Sequence, residues 1–307
     1  MNASRTIAVC IATLHRREAL ARALRSVALQ RFDDGTRVVA IVVNNDPSDP
    51  GPEAVAASIR AESGLAIEVL AEPIRGIAPA RNRALARARD IAPLIAFLDD
   101  DEEAPARWLA SLLRTKEAHR ADVVTGTVLS RFEHDAPDWA PALFARPERA
   151  TGSPRPWAFT GNVLFDAALL DRLDRWFDPR FMQGEDRHFF ARLVARGARI
   201  AWCADDAPTE LVPASRTNAA WLARRMRAIG RSVTPIELDT PRAAFARPRN
   251  LAKGCAWIAI GGVQLLAGLL AGAAWRVRGR SRIAYGVGLV EGAFAGAPAG
   301  TASGATG

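Results

Sequence analysis

The first hundred residues alternate between short apolar runs rich in β-branched side chains and segments with helical spacing. The apolar runs cover residues 6–12, 38–43, 66–70 and 94–98, and the helical segments between them cover 18–30, 53–62 and 78–92. Strands that alternate with helices form a mostly parallel, twisted sheet covered by helices on both faces. We therefore predict an α/β fold in which ligands bind beyond the carboxyl ends of the strands.

The following part of the chain mixes further helices and strands without an internal repeat. Helical spacing is found in residues 108–119, 167–173, 187–196 and 221–229. Strands are predicted over 122–129 and 198–204, and a strand or turn over 159–165. Residues 137–156 are rich in Pro, Trp and Arg, a composition typical of a loop region. We therefore expect one folded domain over residues 1–235.

The chain is basic, with a net charge of +8 over 307 residues. Such a charge suits anionic partners such as phosphates or lipid headgroups, and it equally suits ordinary solvated helix faces. Nucleic-acid binding is not expected, because the basic residues are scattered and lack interleaved aromatic side chains.

The cysteines and the N-terminus both indicate the cytosol. Cys10, Cys203 and Cys255 are far apart and match no metal-binding spacing, so we interpret them as reduced thiols. The apolar stretch 7–14 is short and is followed by basic residues, which favours a buried strand over an export signal.

Residues 254–275 contain no charged side chain, and about 20 apolar residues suffice to cross a bilayer. Lys253 precedes this run, and arginines follow it from Arg276 onward. We therefore predict a linker over 236–253, a membrane-associated helical region over 254–300 and a disordered tail over 301–307. A buried core helix is the alternative. A single span would place the arginines on the far side, against the positive-inside tendency, whereas an interfacial helix or a re-entrant hairpin would not.

An acidic run follows the fourth predicted strand. Asp99, Asp100, Asp101 and Glu102 come directly after Phe97-Leu98. Adjacent carboxylates repel one another, and a divalent cation such as Mg²⁺ or Mn²⁺ would offset that repulsion. A solvated acidic loop is the alternative. The position at a strand's carboxyl end favours a site for metal and nucleotide.

Polar residues also follow the first two strands and open the third helix. Thr13 and Arg16 follow the first strand, Asn44 and Asp46 follow the second, and Arg81 lies in the first turn of the helix. The residues after the two strands would share an edge with the acidic run, and a helix start carrying Arg81 favours phosphate. Each of these short segments is equally compatible with ordinary turn chemistry or a surface Arg.

Two later segments suit an acceptor and a base. Glu185 and Asp186 open a helix, where acids either cap the helix dipole or take a proton from a hydroxyl group. Trp157, Gly161 and Asn162 offer an aromatic face and an amide suited to a sugar, although a packed loop would use the same residues.

In order and spacing, these motifs resemble those of the family 2 glycosyltransferases over roughly residues 6–230. The motifs are Ala12-Thr13-Leu14-His15-Arg16, Val42-Val43-Asn44-Asn45-Asp46, Ala80-Arg81-Asn82, Phe97-Leu98-Asp99-Asp100-Asp101, Gly161-Asn162 and Gly184-Glu185-Asp186. The resemblance implies the A-type, Rossmann-like nucleotide-sugar transferase fold and makes residues 1–235 the catalytic domain.

The resemblance also implies residue roles. Asp99 and Asp100 would contact the nucleotide, Asp101 would ligate Mg²⁺ or Mn²⁺ through the diphosphate, and Asp186 would be the base of an inverting transfer. The chain departs from the family pattern at two positions. Asn44 stands where many members have Asp, and its carbonyl can still accept a hydrogen bond. Glu210 lies where many members have a metal-binding His, and it would act as the substitute ligand.

The expected activity is sugar transfer from a nucleoside-diphosphate sugar to a membrane-associated acceptor, such as a lipid-linked one, in polysaccharide or glycolipid synthesis. The expected location is the cytoplasmic face of a bacterial inner membrane. One alternative is a nucleotidyltransferase, although the first strand lacks the glycine-rich loop that such enzymes usually carry. Another is a catalytically inactive membrane protein that only binds nucleotide.

Overall fold

The computed structural model describes residues 5–145, 148–240 and 244–295. The chain divides into two compact units. Among the described residues, the first unit comprises 5–131, 148–179 and 189–211, and the second comprises 132–145, 180–188, 212–240 and 244–295. The predicted tail 301–307 and residues 296–300 of the predicted helical region lie outside the described residues.

The first unit is built on an eight-stranded sheet with the order β3-β2-β1-β4-β9-β6-β10-β8. Its strands are β1 (Thr6–Thr13), β2 (Arg37–Asn44), β3 (Ala66–Ala71), β4 (Leu94–Phe97), β6 (Val123–Gly126), β8 (Pro154–Arg155), β9 (Val163–Asp166) and β10 (Ile200–Cys203). A three-stranded sheet has the order β5-β11-β7, formed by β5 (Glu102–Glu103), β7 (Leu129–Phe132) and β11 (Thr209–Val212). The main helices are α1 (Arg17–Ala28), α2 (Gly51–Ser63), α3 (Ile77–Ile91), α4 (Trp108–Ala118) and α6 (Glu185–Ala195).

The large sheet is parallel over β3, β2, β1 and β4, as expected. In this register Cys10 lies opposite Ile41 on one side and Phe97 on the other. The other half is mixed, because β9 runs antiparallel to both β4 and β6. Between β7 and β9 the described residues include only a short helix over Ala140–Phe144 and the two-residue strand β8. Without a long crossover helix, β9 is free to enter in the antiparallel direction.

Apolar side chains cover both faces of the sheet, because successive residues of a buried strand point to opposite sides. Cys10 of β1 packs in a cluster with residues of α3 and with Phe189 and Phe190 of α6. Its neighbour Ile11 packs in the cluster that includes Leu24 of α1 and residues of α2 and α4. The prediction of helices on both faces is confirmed.

Several predicted boundaries differ from the structure. The strand expected over 122–129 is two short strands, β6 and β7, separated by two residues. The helix expected over 167–173 is a 3₁₀ helix over Ala167–Arg172. The loop region 137–156 contains the short helix α5 (Ala140–Phe144) as well as β8. Local periodicity does not resolve breaks of one or two residues.

The second unit contains three long helices, α7 (Ala219–Leu238), α8 (Ala246–Ala271) and α9 (Ala273–Phe294). Residues 236–238 and 246–253 of the predicted linker lie in α7 and α8. Gly272 joins α8 to α9 with a positive φ of 93°, a backbone conformation that glycine adopts without strain. Within the described residues, α8 is the single helix whose length and apolar composition would allow it to cross a membrane.

Candidate active site

The acidic edge, by which we mean residues 99–103 and Glu210, lies beyond the carboxyl end of β4. Because β1 pairs with β4 in parallel, the residues that follow β1 reach the same place. Asp100 is buried, and it accepts hydrogen bonds from Thr13 Oγ1 at 2.8 Å and from Arg16 Nη1 at 2.9 Å. The same Nη1 atom lies 2.9 Å from Asp101 Oδ2. Burial raises the pKa of Asp100, and Arg16 and Thr13 limit that rise.

Asp99 and Arg81, two residues predicted to bind the nucleotide, form an ion pair at this edge, and their nucleotide contacts stay a prediction. Their side chains are 3.2 Å apart, with Asp99 44% exposed and Arg81 only 6% exposed. The guanidinium group of Arg81 also lies 5.8 Å from the centre of the Phe177 ring. The carboxylate of Asp99 is therefore more accessible than that of Asp100, and the buried guanidinium group of Arg81 lies beside it.

Glu102 is a buried member of the acidic edge to which the sequence analysis gave no role. Its Oε2 accepts a hydrogen bond from the backbone N–H of Asp99 at 3.0 Å. A Cβ at Gly161 would lie 2.5 Å from Glu102 Oε1, so the glycine leaves the room that this carboxyl group occupies. Gly161 thus packs against the acidic edge.

Backbone pairing brings Glu210 to the acidic edge. Glu210 of β11 lies opposite Glu102 of β5 in an antiparallel pair. The neighbouring Leu211 donates its N–H to the carbonyl oxygen of Asp101 at 3.1 Å. A residue more than a hundred positions away in the chain is therefore placed beside the carboxylates, as the metal-ligand prediction for Glu210 requires.

Polar side chains of the loop after β2 form hydrogen bonds within that loop and stabilise its conformation. Asn44 donates from Nδ2 to the carbonyl oxygen of Asp49 at 2.8 Å and accepts from the N–H of Asp46 at 3.0 Å. Asp46 also lies 2.8 Å from Arg75 and 3.0 Å from His15. Both ends of the Asn44 amide thus have internal partners, and its predicted contact with a nucleotide base stays a prediction, as does that of Asp46.

Asn45 connects the ends of β2 and β3 with the start of α3. Its Nδ2 donates to the carbonyl oxygens of Glu72 at 3.0 Å and Ile74 at 2.8 Å. Its Oδ1 accepts from the N–H of Gly76, the residue that precedes α3, at 2.9 Å. This buried amide fixes the loop that leads to Arg81, and the sequence analysis gave it no role of its own.

Asn162 has an internal role in the structure. It is buried, accepts from Trp108 Nε1 at 2.8 Å and donates to the carbonyl oxygen of Thr127 at 2.7 Å. Trp157 is partly buried and meets the ring of Phe159 edge to face, with the centroids 4.7 Å apart. The predicted acceptor contacts of Trp157, Gly161 and Asn162 stay predictions.

Glu185 and Asp186 form the first turn of α6, as the sequence predicted, and this turn belongs to the second unit. Glu185 is buried, and Asp186 Oδ1 accepts the N–H of Arg187 at 2.6 Å. Gly184 precedes the helix with a φ of +79°. In the same unit, His188 Nε2 lies 2.6 Å from Asp239 Oδ2. The prediction that Asp186 is the catalytic base, and that Glu185 is also a catalytic residue, stays a prediction.

The sequence model described as Glycosyl transferase family 2 matches residues 8–173. This span includes both strand-end loops, the acidic run and Asn162. The chain belongs to the family 2 glycosyl transferases.

Relatives of this glycosyl transferase agree with the assignment. The succinoglycan biosynthesis protein ExoM of Rhizobium meliloti (strain 1021) is 32% identical to it over 229 residues, which cover 71% of this chain and 70% of ExoM. The mannosyltransferase PcManGT from Pyrobaculum calidifontis, solved with GDP-Man and Mn²⁺, has a TM-score of 0.65 at 21% identity and covers 95% of this chain and 88% of its own.

S. aureus TarS 1-349 in complex with UDP has a TM-score of 0.55 at 17% identity and covers 92% of this chain and 89% of its own. At these identities the likeness to solved structures concerns the fold. It confirms the A-type fold expected for this glycosyl transferase.

The donor atoms of the acidic edge fit a hard divalent cation. Burial, followed by the negative charges of Asp99, Asp101 and Glu210, raises the pKa of Glu102 well above its ordinary value. A cation would offset this repulsion, and carboxylate oxygens are ligands that Mg²⁺ and Mn²⁺ prefer. Asp101 and Glu210 are the expected ligands of this glycosyl transferase.

Glu102 and Asn45, which were given no individual role from the sequence, both stand in recognisable sequence patterns. Glu102 is the fourth consecutive acid after a buried strand, and Asn45 is the second residue of an Asn-Asn pair at a strand end. Their partners lie in other segments of the chain, so local patterns could not show that either side chain is buried. That information came only from the folded structure.

Proposed function

We propose that this family 2 glycosyl transferase moves a sugar, with inversion, from a nucleoside-diphosphate sugar to a membrane-associated acceptor such as a lipid-linked saccharide. The observation that carries the proposal is the acidic edge, where Asp99 to Asp101 meet Arg16 and Arg81. Similarity to the succinoglycan biosynthesis protein ExoM supports a role in polysaccharide synthesis. We propose that the protein acts at the cytoplasmic face of a bacterial inner membrane. The uncharged run in α8 supports a membrane-bound acceptor.

The charged residues of the acidic edge are proposed to contact different parts of the donor. Asp99, the more exposed acid, and Asp100 contact the nucleoside, together with Thr13, and Arg81 binds a phosphate oxygen of the donor. Arg81 is held by its partner Asp99 and by the Phe177 ring, so little reorganisation is needed when charge develops on the leaving diphosphate. Arg16 holds Asp100 and Asp101 in place.

The metal completes this arrangement. Asp101 and Glu210 would hold Mg²⁺ or Mn²⁺, which supplies charge neutralisation to the leaving nucleoside diphosphate. Solved structures of the same fold contain Mn²⁺, in PcManGT with GDP-Man and in GalNAc-T7 with UDP and GalNAc, which supports this assignment.

The acceptor hydroxyl loses its proton to Asp186, which opens α6, and then attacks the anomeric carbon from the face opposite the leaving group. The C–O bond to the acceptor forms as the bond to the diphosphate breaks, and inversion follows from this single displacement. Glu185 is adjacent and more buried, and it supports the first turn of the helix. Trp157 and Gly161 are proposed to face the acceptor sugar.

The deciding experiment offers the full chain a panel of labelled nucleoside-diphosphate sugars, with bacterial membrane lipid extract as acceptor and with or without Mn²⁺. Label that moves into the lipid fraction with one donor supports the proposal. Release of pyrophosphate from a nucleoside triphosphate and a sugar phosphate would indicate the nucleotidyltransferase alternative. Tight nucleotide binding with neither transfer nor hydrolysis would indicate an inactive scaffold.

Asp186→Asn is expected to lower the transfer rate by roughly 10²- to 10⁴-fold, because loss of a general base typically costs that much. Nucleotide affinity, measured by calorimetry, should stay within about twofold of the wild type. Glu185→Gln is the matched variant, since it neutralises the adjacent acid of the same turn. Full transfer by Asp186→Asn, or an equal loss in both variants, would contradict the assignment of the base.

A further inference from the structure

From residue 254 onward, the free side of α8 is an apolar surface without charged side chains. Its large hydrophobic side chains are 45% to 97% exposed, and only 17% of its most apolar stretch is buried within the protein. The exposed residues are Ile260, Val263, Leu266, Leu269 and Leu270. An uncharged surface of this extent marks an interaction site.

The opposite side of α8 packs against α9 in an antiparallel hairpin. A Cβ at Gly254 would lie 2.8 Å from the carbonyl oxygen of Gly286, and a Cβ at Gly261 would lie 2.7 Å from that of Gly279. Near the turn, a Cβ at Gly268 would lie 2.7 Å from the backbone nitrogen of Arg276. The two helices therefore run side by side along most of α8.

This register places arginines of α9 beside the middle of α8. Gly279, which packs on Gly261, is flanked by Arg278 and Arg280. One turn further, the guanidinium group of Arg282 lies 5.3 Å from the centre of the Trp257 ring. If α8 crossed a bilayer, α9 would cross with it and carry these arginines into the hydrocarbon core, which is strongly unfavourable.

We infer that the α8–α9 hairpin lies in the interface of an anionic lipid bilayer and does not cross it. The free side of α8 enters the acyl region, and the arginines of α9 extend along the surface to the headgroups, as in other interfacial helices with basic and apolar sides. Trp275 is 41% exposed beside the turn, and its amphipathic ring is of the kind that lies at headgroup level. This inference deepens the proposed function, because it specifies how the acceptor's membrane is engaged.

The first test measures binding of the full chain to vesicles of phosphatidylcholine, with and without phosphatidylglycerol, by co-sedimentation. Binding should be tighter to the anionic vesicles. Val263→Asp and Leu270→Asp should each weaken binding at least roughly tenfold, because each puts a charge in place of an apolar side chain that enters the acyl region. Leu29→Asp is the control, since Leu29 is 64% exposed in the first unit, and it should bind as the wild type does.

Two results of this test would overturn the inference. One is equal vesicle binding by Val263→Asp, Leu29→Asp and the wild type. The other is a change of oligomeric mass in Val263→Asp, measured by analytical ultracentrifugation without lipid, combined with unchanged vesicle binding. That combination would show that a second copy of the chain covers the free side of α8.

The second test asks whether the hairpin turn crosses the bilayer. Cys10 and Cys203 are buried, so Ala273→Cys in a Cys255→Ala background places one reactive thiol at the turn. After the protein is added to the outside of sealed anionic vesicles, a membrane-impermeant maleimide added outside should label this thiol. Labelling that requires detergent would show that the turn has crossed, and it would overturn the inference.

These tests are independent of catalysis. Vesicle binding and one-sided labelling as described, in a chain that transfers no sugar from any donor, would refute the proposed function and leave the interfacial hairpin standing. Sugar transfer to a water-soluble acceptor without vesicle binding would refute the hairpin and keep the glycosyl transferase activity.

Discussion

Different kinds of contact hold the acidic edge and the α8–α9 hairpin together. At the acidic edge, side chains make the contacts, as when Arg16 joins Asp100 to Asp101. In the hairpin the absence of side chains allows the contacts, as where Gly261 meets the backbone of Gly279. A substitution at the edge should therefore alter chemistry with little effect on the fold, whereas one in the hairpin should alter packing first.

Asp101→Ala should show the largest effect, a roughly 100-fold loss of Mn²⁺-dependent nucleotide affinity, equivalent to about 2.7 kcal/mol. Thermal stability should change by less than about 1 kcal/mol, because one partly exposed ion pair is lost. Calorimetric titration with and without Mn²⁺ measures the first effect. Asp171→Ala, which removes the exposed pair with Arg89, is the control. If the Mn²⁺-dependent nucleotide affinity of Asp101→Ala were unchanged, the assignment of Asp101 as a metal ligand would be contradicted.

Gly261→Ala should destabilise the hairpin by about 1–3 kcal/mol, because its Cβ would meet backbone atoms that cannot move aside. Gly262→Ala is a sharp control, since no atom lies within 4 Å of the added Cβ. That change should be neutral or stabilising by up to about 1 kcal/mol, because alanine favours the helix. Urea unfolding followed by circular dichroism separates the two variants. Equal effects would contradict close packing at Gly261.

Glu102→Gln should change how stability depends on pH. Because the folded-state pKa of Glu102 is raised, its contribution to stability is fully present below its unfolded pKa, near 4.5, and is lost as pH rises through the raised value. The wild type should therefore lose more stability than Glu102→Gln as pH rises through this window. Melting temperatures in EDTA measure the difference, and Mn²⁺ should reduce it. Parallel pH profiles of the two proteins would contradict burial of a charged Glu102.

Arg227→Gln should have the smallest effect. Arg227 of α7 pairs with Glu291 of α9, but both side chains are partly exposed. An exposed ion pair is screened by salt and adds little to stability. We expect a shift in melting temperature smaller than that of Gly261→Ala, decreasing further at high salt. A larger shift would show that this ion pair is important in holding α7 against α9.

Local sequence patterns predicted the features that depend on residues close together in the chain. The parallel strands β1 to β4, the acidic run after β4 and the long apolar helix all follow from short-range patterns of apolar and charged residues. Contacts between residues far apart in the chain could not be predicted from these patterns. Asn45 meets residues 27 to 31 positions away, and Asn162 meets Trp108, 54 positions away.

The sequence by itself determined the family, the α/β architecture and the presence of carboxylates at a strand end, because strand periodicity and adjacent acids are written in consecutive residues. The tertiary structure decided that Glu102 is buried, that Glu210 lies opposite it and that β9 runs antiparallel. It also decided that α9 lies along α8, which places arginines beside an apolar helix. The physical reason is that burial and register depend on which distant backbones approach one another, and a linear pattern does not encode that distance.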